Sequence, residues 1–148
     1  MPAHSEQLVG TWQLMSARFE LADTGECGDA YGPNPLGSLI LTDNGRMMAI
    51  VTSAARAPPK DEAGRAALFE SMMAYSGKYR IEGEDTFITT VDLAWHPAWN
   101  GTEQTRFFQL DGNTLSITTA QLTHPLFPGR MARGVLVWRR TANAIATV

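Results

Sequence analysis

Residues 37–52 read GSLILTDNGRMMAIVT, a strong β-hairpin signal. Two apolar runs, 37–42 and 46–52, flank the turn sequence Asp43-Asn44-Gly45. Because Asn-Gly accepts the positive φ angles that tight hairpin turns need, the pattern predicts two antiparallel strands joined by a short turn.

The same kind of strand signal recurs along the rest of the chain, over residues 8–21, 78–82, 86–93, 102–110, 114–120 and 132–140. Mostly short turns join these runs and no helices alternate with them, which favours antiparallel pairing in an all-β fold. About eight such strands close most economically into a single up-and-down β-barrel, because closure removes exposed edges. Periodicity alone does not distinguish such a barrel from a β-sandwich.

Residues 58–75 are the part of the chain that predicts a helix, since Ala, Glu, Arg, Leu and Met dominate there. Two prolines precede it, and Asp61 and Glu62 fall in its first turn, where carboxylates meet the positive end of the helix dipole. We expect one short helix that covers an edge or mouth of the barrel. The alternative is a lid whose Met72 and Met73 adapt to different apolar guests.

Composition describes one ordinary soluble domain over residues 1–148, with an ordered core over residues 7–141. The chain has 148 residues, 44% of them hydrophobic and 18% charged, and a net charge of -3. A negative charge without basic clusters argues against nucleic acid as a partner. No basic leader or long apolar stretch is evident, so we expect a cytoplasmic protein without a membrane partner.

Sequence motifs for cofactors, metals and activated nucleophiles are missing. The chain lacks a Gly-x-Gly-x-x-Gly or Walker loop and a Gly-x-Ser-x-Gly elbow, so no cofactor is expected. Its three histidines and the lone Cys27 show no metal-binding spacing, and we expect no metal site. Cys27 is interpreted as a bystander thiol in a turn-rich segment.

A resemblance to the bacterial lipocalin-like domain family, within the broader calycin group, is carried by four stretches in a fixed order. They are residues 8–12 (LVGTW), 37–47 (GSLILTDNGRM), 75–81 (YSGKYRI) and 99–108 (WNGTEQTRFF). The likeness spans nearly the whole chain. It implies one antiparallel β-barrel with an internal cavity, and it transfers fold more safely than function.

The resemblance also implies roles for particular residues. In lipocalin-like barrels the tryptophan of Gly-x-Trp packs at the closed end beneath an arginine of the last strand, which here would be Trp12 with Arg139 or Arg140. Arginine stacks well on an indole face, so this is a structural role. The family often carries a His-His pair where this chain has Thr89 and Thr90. Either its chemistry differs, or that pair is not essential.

Candidate ligand-binding residues concentrate in residues 95–106, where Trp95, His96 and Trp99 lie between two predicted strands. Two indoles beside hydrogen-bonding groups are the mixture expected at a small-molecule pocket. His96 precedes a proline, so its backbone should be extended and its ring could project over the mouth as a general acid or base. An ordinary surface histidine is the alternative.

Strand alternation places further candidates inside the barrel. If the face of Thr90 and Asp92 and the face of Gln104, Arg106 and Phe108 both point inward, Asp92 and Arg106 can approach each other. The pair would then orient a polar ligand or move a proton, unless Asp92 instead faces solvent. Arg106 is the preferred ligand anchor, because its fork can hold a carboxylate, enolate or phenolate.

Two tyrosines complete the candidate site. Tyr31 lies in a stiffened loop ahead of the first hairpin and is expected to cap one barrel opening. Tyr79 shares a probable interior face with Gly77 and Ile81, where it is either a core residue or a phenol that hydrogen-bonds a ligand.

Three functions remain open from the sequence. The first is a binding protein for a small, largely apolar, aromatic or polyketide-like molecule, anchored by Arg106. The second is a cofactor-free enzyme of cyclase, isomerase or lyase type, with Asp92 or His96 as catalytic groups. The third is a structural or interaction barrel filled by its own side chains. A homodimer is possible in each case.

Overall fold

The protein folds as a closed antiparallel barrel in a computed structural model that describes residues 5–124 and 127–141. The ends of the expected domain, residues 1–4 and 142–148, lie outside the described residues. Eight long strands form the wall: β1 (Gly10–Leu21), β3 (Leu36–Leu41), β4 (Arg46–Thr52), β5 (Met72–Glu82), β6 (Thr86–Ala94), β7 (Glu103–Asp111), β8 (Thr114–Thr119) and β10 (Phe127–Arg140). Each pairs with the next, and β1 pairs with β10 to close the barrel.

The remaining elements are short. They are strands β2 (Cys27–Asp29) and β9 (Leu122–His124), helices α1 (Ser5–Leu8) and α2 (Glu62–Glu70), and a 3₁₀ turn, Pro97–Trp99. Strand β2 pairs with β1, and β9 pairs with β10. The predicted all-β, up-and-down barrel of about eight strands is therefore confirmed, and the sandwich alternative is set aside.

The core forms on the inner face of the barrel because apolar residues alternate along the strands. In β4, Met47, Ala49 and Val51 are buried, whereas Met48 and Ile50 between them are exposed. Strands β3 and β4 pair as the Asn-Gly turn predicts, with Leu41 opposite Met47. The turn glycine, Gly45, has a φ of 87°, which an L side chain rarely adopts.

One end of the barrel is closed around Trp12, where Arg140 at the end of β10 contacts the residues that precede β1. The guanidinium of Arg140 lies 4.2 Å from the Trp12 ring centroid and donates to the carbonyl oxygens of Val9, at 2.8 Å, and Gln7. The Trp12 indole donates to the carbonyl oxygen of Leu8 at 3.0 Å. The structural role implied for Trp12 is thus seen, and Arg140 is the arginine that fills it.

The helix prediction was right in position and too long. Helix α2 begins after Asp61, whose carboxylate accepts from the Gly64 amide at 2.7 Å, and ends at Glu70. Met72 and Met73 belong instead to β5, where they pair with β4. Pairing with a neighbouring strand overrides the local helix preference of this segment. None of the helices in the described ranges is long and apolar enough to cross a membrane.

Two irregularities decide which side chains face inward. In β1, the register with β10 shifts between Leu14 and Ser16, so Ala17 is buried after Leu14. Between β5 and β6, the register shifts at Ser76 and Gly77: Ser76 pairs with Leu93, whereas Gly77 pairs with Val91. An extra residue on one strand of a pair changes the inward and outward alternation beyond it.

Candidate functional site

The open half of the barrel contains a cavity of about 580 Å³. This volume lies within the range of small-molecule sites and does not fit a barrel filled by its own side chains. Inward positions of many strands form an apolar wall, which includes Leu39, Met47, Ala49, Phe87, Ile117 and Leu136.

Arg106 is the charged group inside this apolar wall. It projects inward from β7, is only 6% exposed and lies 5.6 Å from the Tyr75 ring centroid. One of its terminal nitrogens donates to the Thr105 carbonyl oxygen at 3.0 Å. None of the six ion pairs among the described side chains includes Arg106. A buried guanidinium therefore faces the cavity with no carboxylate partner among the described residues.

Two phenols lie near this guanidinium. Tyr31 reaches the cavity from the segment after β2, which is held to the wall where the Ala30 amide donates to the Ala17 carbonyl oxygen at 2.9 Å. Tyr75, only 4% exposed, projects inward from β5. Within the described part of the chain, neither phenolic hydroxyl has a hydrogen-bond partner. Burial raises the pKa of Tyr31 to about 12, although the positive charge of Arg106 opposes this shift.

Aromatic rings line the mouth in a continuous series. Phe69, at the end of α2, is 43% exposed and its ring centroid lies 6.1 Å from that of Trp95 and 5.5 Å from that of His96. Trp95 meets Trp99 at 5.2 Å, and Trp99 meets Tyr75 edge-on at 5.2 Å. The series runs from solvent to the ring beneath Arg106.

Helix α2 is held at this mouth by its C-terminal carbonyl groups. The Trp95 indole donates to the Phe69 carbonyl oxygen at 3.2 Å, and Arg56 donates to that of Leu68 at 3.0 Å. No residue of the helix is buried. The last two helix residues, Phe69 and Glu70, lie at the opening, and the helix is attached through these hydrogen bonds and the ring contacts of Phe69.

Five of the predicted site residues line the cavity, namely Tyr31, Trp95, His96, Trp99 and Arg106. His96 lies at the mouth, where its Nδ1 accepts from the Ala98 amide at 3.2 Å. The aromatic loop and Arg106 are therefore brought together by the fold, although they lie in different elements. Their role in binding stays a prediction.

Two inward-facing candidates pack away from the cavity lining. Tyr79 donates its hydroxyl to the Thr42 carbonyl oxygen at 2.9 Å, and burial raises the pKa of its phenol. Phe108 is buried and its ring centroid lies 6.1 Å from that of Phe87. Both contribute to the core near the closed half of the barrel.

The two polar candidates, Thr90 and Gln104, form hydrogen bonds with neighbouring side chains. Thr90 faces outward, exposed, and its hydroxyl donates to Glu103 at 3.4 Å. The Gln104 amide donates to the Thr102 hydroxyl at 2.9 Å. Neither residue lines the cavity.

The expected approach of Asp92 to Arg106 was wrong. Asp92 lies on the outer surface, with its side chain 48% exposed, and one carboxylate oxygen lies 2.7 Å from the Arg46 guanidinium. The Ser76 hydroxyl donates to the other at 3.0 Å. These hydrogen bonds, that of Arg46 foremost, lower the pKa of the Asp92 carboxyl. The alternation in β6 points Val91 inward, so Asp92 takes no part in the cavity.

Metal-ligating side chains do not gather in residues 5–124 and 127–141, where no three His, Cys, Asp or Glu residues could hold a metal ion. Cys27 is exposed, and its thiol donates to the Gly25 carbonyl oxygen at 3.4 Å.

Sequence reasoning missed Tyr75 and Phe69, which contribute to the cavity lining. Tyr75 fell inside the predicted helix. A signal was present, since Met73, Tyr75, Gly77 and Tyr79 alternate with more polar residues at the period of a strand. No local pattern distinguishes Phe69 from an ordinary helix residue.

A model of a known domain family matches most of this chain. The model of a family described as the lipocalin-like domain matches residues 9–141. No curated protein matches the sequence. Among solved structures, the lipoprotein YedD from Klebsiella pneumoniae subsp. pneumoniae MGH 78578 is 14% identical, with a TM-score of 0.44 over 93% of this chain and 74% of that chain. Because the family model spans nearly the whole barrel, the chain belongs to the lipocalin-like domain family.

Proposed function

We propose that the protein binds a small, largely apolar, aromatic molecule inside the barrel, with Arg106 holding an anionic group of that molecule. The observation that carries the proposal is a buried guanidinium in an apolar cavity, without a carboxylate partner among the described residues. A desolvated cation is costly unless an opposite charge accompanies it. An anionic ligand supplies that charge.

The rest of the cavity supports an apolar body for the ligand. Its wall carries aliphatic and aromatic side chains, and Trp95 and Trp99 present ring faces and edges at the mouth. Offset or edge-to-face contacts with such rings favour a planar aromatic guest. A volume of about 580 Å³ suits a guest of two to four fused rings.

Binding is preferred over catalysis because the proposed proton-transfer pair does not exist. Asp92 pairs with Arg46 outside the barrel, and His96 lies at the mouth. Cytoplasmic localisation and a homodimer stay predictions.

Two matched fluorescent probes test the proposal. N-phenyl-1-naphthylamine is neutral, and 1-anilinonaphthalene-8-sulfonate has the same ring system with one negative charge. Ala49 faces the cavity, whereas Ile50 beside it faces solvent, so Ala49→Phe and Ile50→Phe make the same residue on opposite faces of β4. Ala49→Phe should weaken the binding of both probes at least tenfold, and Ile50→Phe should leave the binding of both unchanged.

Arg106→Leu should weaken the sulfonate probe about tenfold or more and leave the neutral probe within about twofold, because a hydrogen bond to a charged group is worth a tenfold change or more. If Ala49→Phe leaves the affinity for both probes unchanged, the cavity is not the binding site. Equal effects of Arg106→Leu on both probes would contradict its role as an anion anchor.

A further inference from the structure

Three polar side chains line the cavity near one another: Arg106, Tyr31 and Tyr75. We call these three the arginine–tyrosine site. The guanidinium lies 5.6 Å from the Tyr75 ring centroid, and both Arg106 and Tyr75 are near enough to Tyr31 to act on its charge. Within the described chain, both hydroxyls lack a hydrogen-bond partner, and the Arg106 side chain makes one hydrogen bond.

These unpartnered groups have access to the cavity. The described residues contain three fully enclosed side-chain polar atoms without a hydrogen-bond partner. They belong to Thr89, Arg133 and Trp138. The atoms of the arginine–tyrosine site are not among them, so unpartnered donors of this site meet open space. Because Arg106 and Tyr75 are nearly inaccessible from outside, that space is the cavity.

We propose that the arginine–tyrosine site binds a planar, two-oxygen monoanion, either a carboxylate or the enolate of a 1,3-dicarbonyl, carried by an aromatic ligand. This inference rests on the proposed function and names the head group of its ligand. The guanidinium fork matches two oxygens of one planar group. The two phenols then donate to lone pairs that the fork leaves unfilled.

The charge of the site selects a monoanion. Arg106 is the cation among the side chains that line the cavity, and the acidic lining residue, Glu70, lies on the mouth helix. A phosphate dianion would leave one negative charge uncompensated in a low-dielectric interior, which is costly. A cationic head group would be repelled by the guanidinium.

Tyr31 acts as a hydrogen-bond donor and not as a base. The pKa of Tyr31 is raised to about 12 by burial, so this phenol keeps its proton at neutral pH. Its O–H is then available to an anionic oxygen, as in sites that stabilise oxyanions with preorganised donors. Tyr31 and Tyr75 are accordingly specificity-determining residues for the head group.

Calorimetric titration with 2-naphthoate and 2-naphthamide tests this assignment, because the two probes share shape and differ in charge. The native protein should bind the carboxylate at least tenfold more tightly than the amide, and Arg106→Leu should abolish that preference. Tyr31→Phe and Tyr75→Phe should each weaken 2-naphthoate about three- to tenfold, since each removes one donor to a charged group. Tyr79→Phe makes the same change outside the cavity and should have no effect.

A third probe, 2-acetyl-1-tetralone, separates the two sources of the head group, because it is an aromatic 1,3-diketone that enolises. The probe whose affinity depends on Arg106 and both tyrosines identifies the source. If the affinity of neither probe depends on Arg106 and the two tyrosines, the inference is wrong. If the anilinonaphthalene probes bind the cavity while the tyrosine variants bind both head groups as the native protein does, the inference fails and the proposed function stands.

Discussion

Gly77 is required by the close approach of β5 and β6 inside the barrel, and substituting it should be strongly destabilising. A Cβ at Gly77 would lie 2.0 Å from the carbonyl oxygen of Thr90 and 2.8 Å from its carbonyl carbon. Both are backbone atoms of a neighbouring, paired strand. They cannot rotate away as the end of a flexible side chain can.

The size of the effect follows from these distances. A comfortable carbon-to-oxygen contact is about 3.3 Å, so the two strands would have to separate by roughly 1.3 Å at this point. Overpacking in a well-packed interior costs about 1–3 kcal/mol, and more where the backbone must move. We expect Gly77→Ala to lower the free energy of unfolding by about 3 kcal/mol.

Gly134 provides the matched control, since it also lies on a long strand and lines the cavity. A Cβ there would meet its nearest atoms, on Leu136 and Thr119, at 3.5 Å, an ordinary contact. A compatible glycine-to-alanine change stabilises by about 0.4–1 kcal/mol through the unfolded state. The two variants should therefore differ by about 3–4 kcal/mol.

Urea unfolding followed by tryptophan fluorescence and by circular dichroism measures this difference. Coincident transitions would justify a two-state free energy for each variant. Equal midpoints and slopes for Gly77→Ala and Gly134→Ala would contradict this expectation, because the contact with Thr90 would then impose no strain.

Two further predictions concern the closed end and the cavity. Arg140→Leu removes the contact with Trp12 and two hydrogen bonds to carbonyl groups, so it should lower the free energy of unfolding by about 2 kcal/mol in the same urea assay. The exposed neighbour substitution Arg139→Leu should change it by less than about 0.5 kcal/mol, and equal effects would contradict the role of Arg140. In alkaline absorbance titration, Tyr31 should ionise near pH 12, and Tyr31→Phe should remove that step. Because folding raises the pKa of Tyr31, stability from this group is complete below pH 10 and falls between pH 10 and 12; a Tyr31→Phe protein that retains the late step would show the assignment to be wrong.

Strand order was predictable because it depends on local signals, whereas closure was expected because it removes exposed edges. The Asn-Gly turn between Leu41 and Arg46 specifies a hairpin, and the alternation in β4 specifies its inner face. The position of Trp12 beneath an arginine followed from the resemblance. The choice of Arg140 over Arg139 needed the register of β1 with β10, which a sequence pattern does not contain.

The error at Asp92 came from taking the wrong face of β6 as the inner one. Phe87, Thr89 and Val91 point inward in unbroken alternation, so Thr90 and Asp92 face outward. Alternation shows which residues share a face, but it does not show which of the two faces is buried. Helix and strand preferences also compete over Met72 and Tyr75, where pairing with β4 decides the outcome. Site residues brought together by tertiary pairing, such as Tyr75 beneath Arg106, are thus the hardest to predict.

The pairing of β1 with β10 has a consequence for how the barrel assembles. Trp12 pairs opposite Arg140, whereas the other long strands pair with their neighbours along the chain. Contacts between residues so distant in sequence form late, since the loss of chain entropy comes before the gain in contacts. During synthesis, the sheet therefore keeps two unpaired edges until β10 has been made. The cavity does not exist before this seam closes, so a bound ligand should slow unfolding and leave the folding rate unchanged.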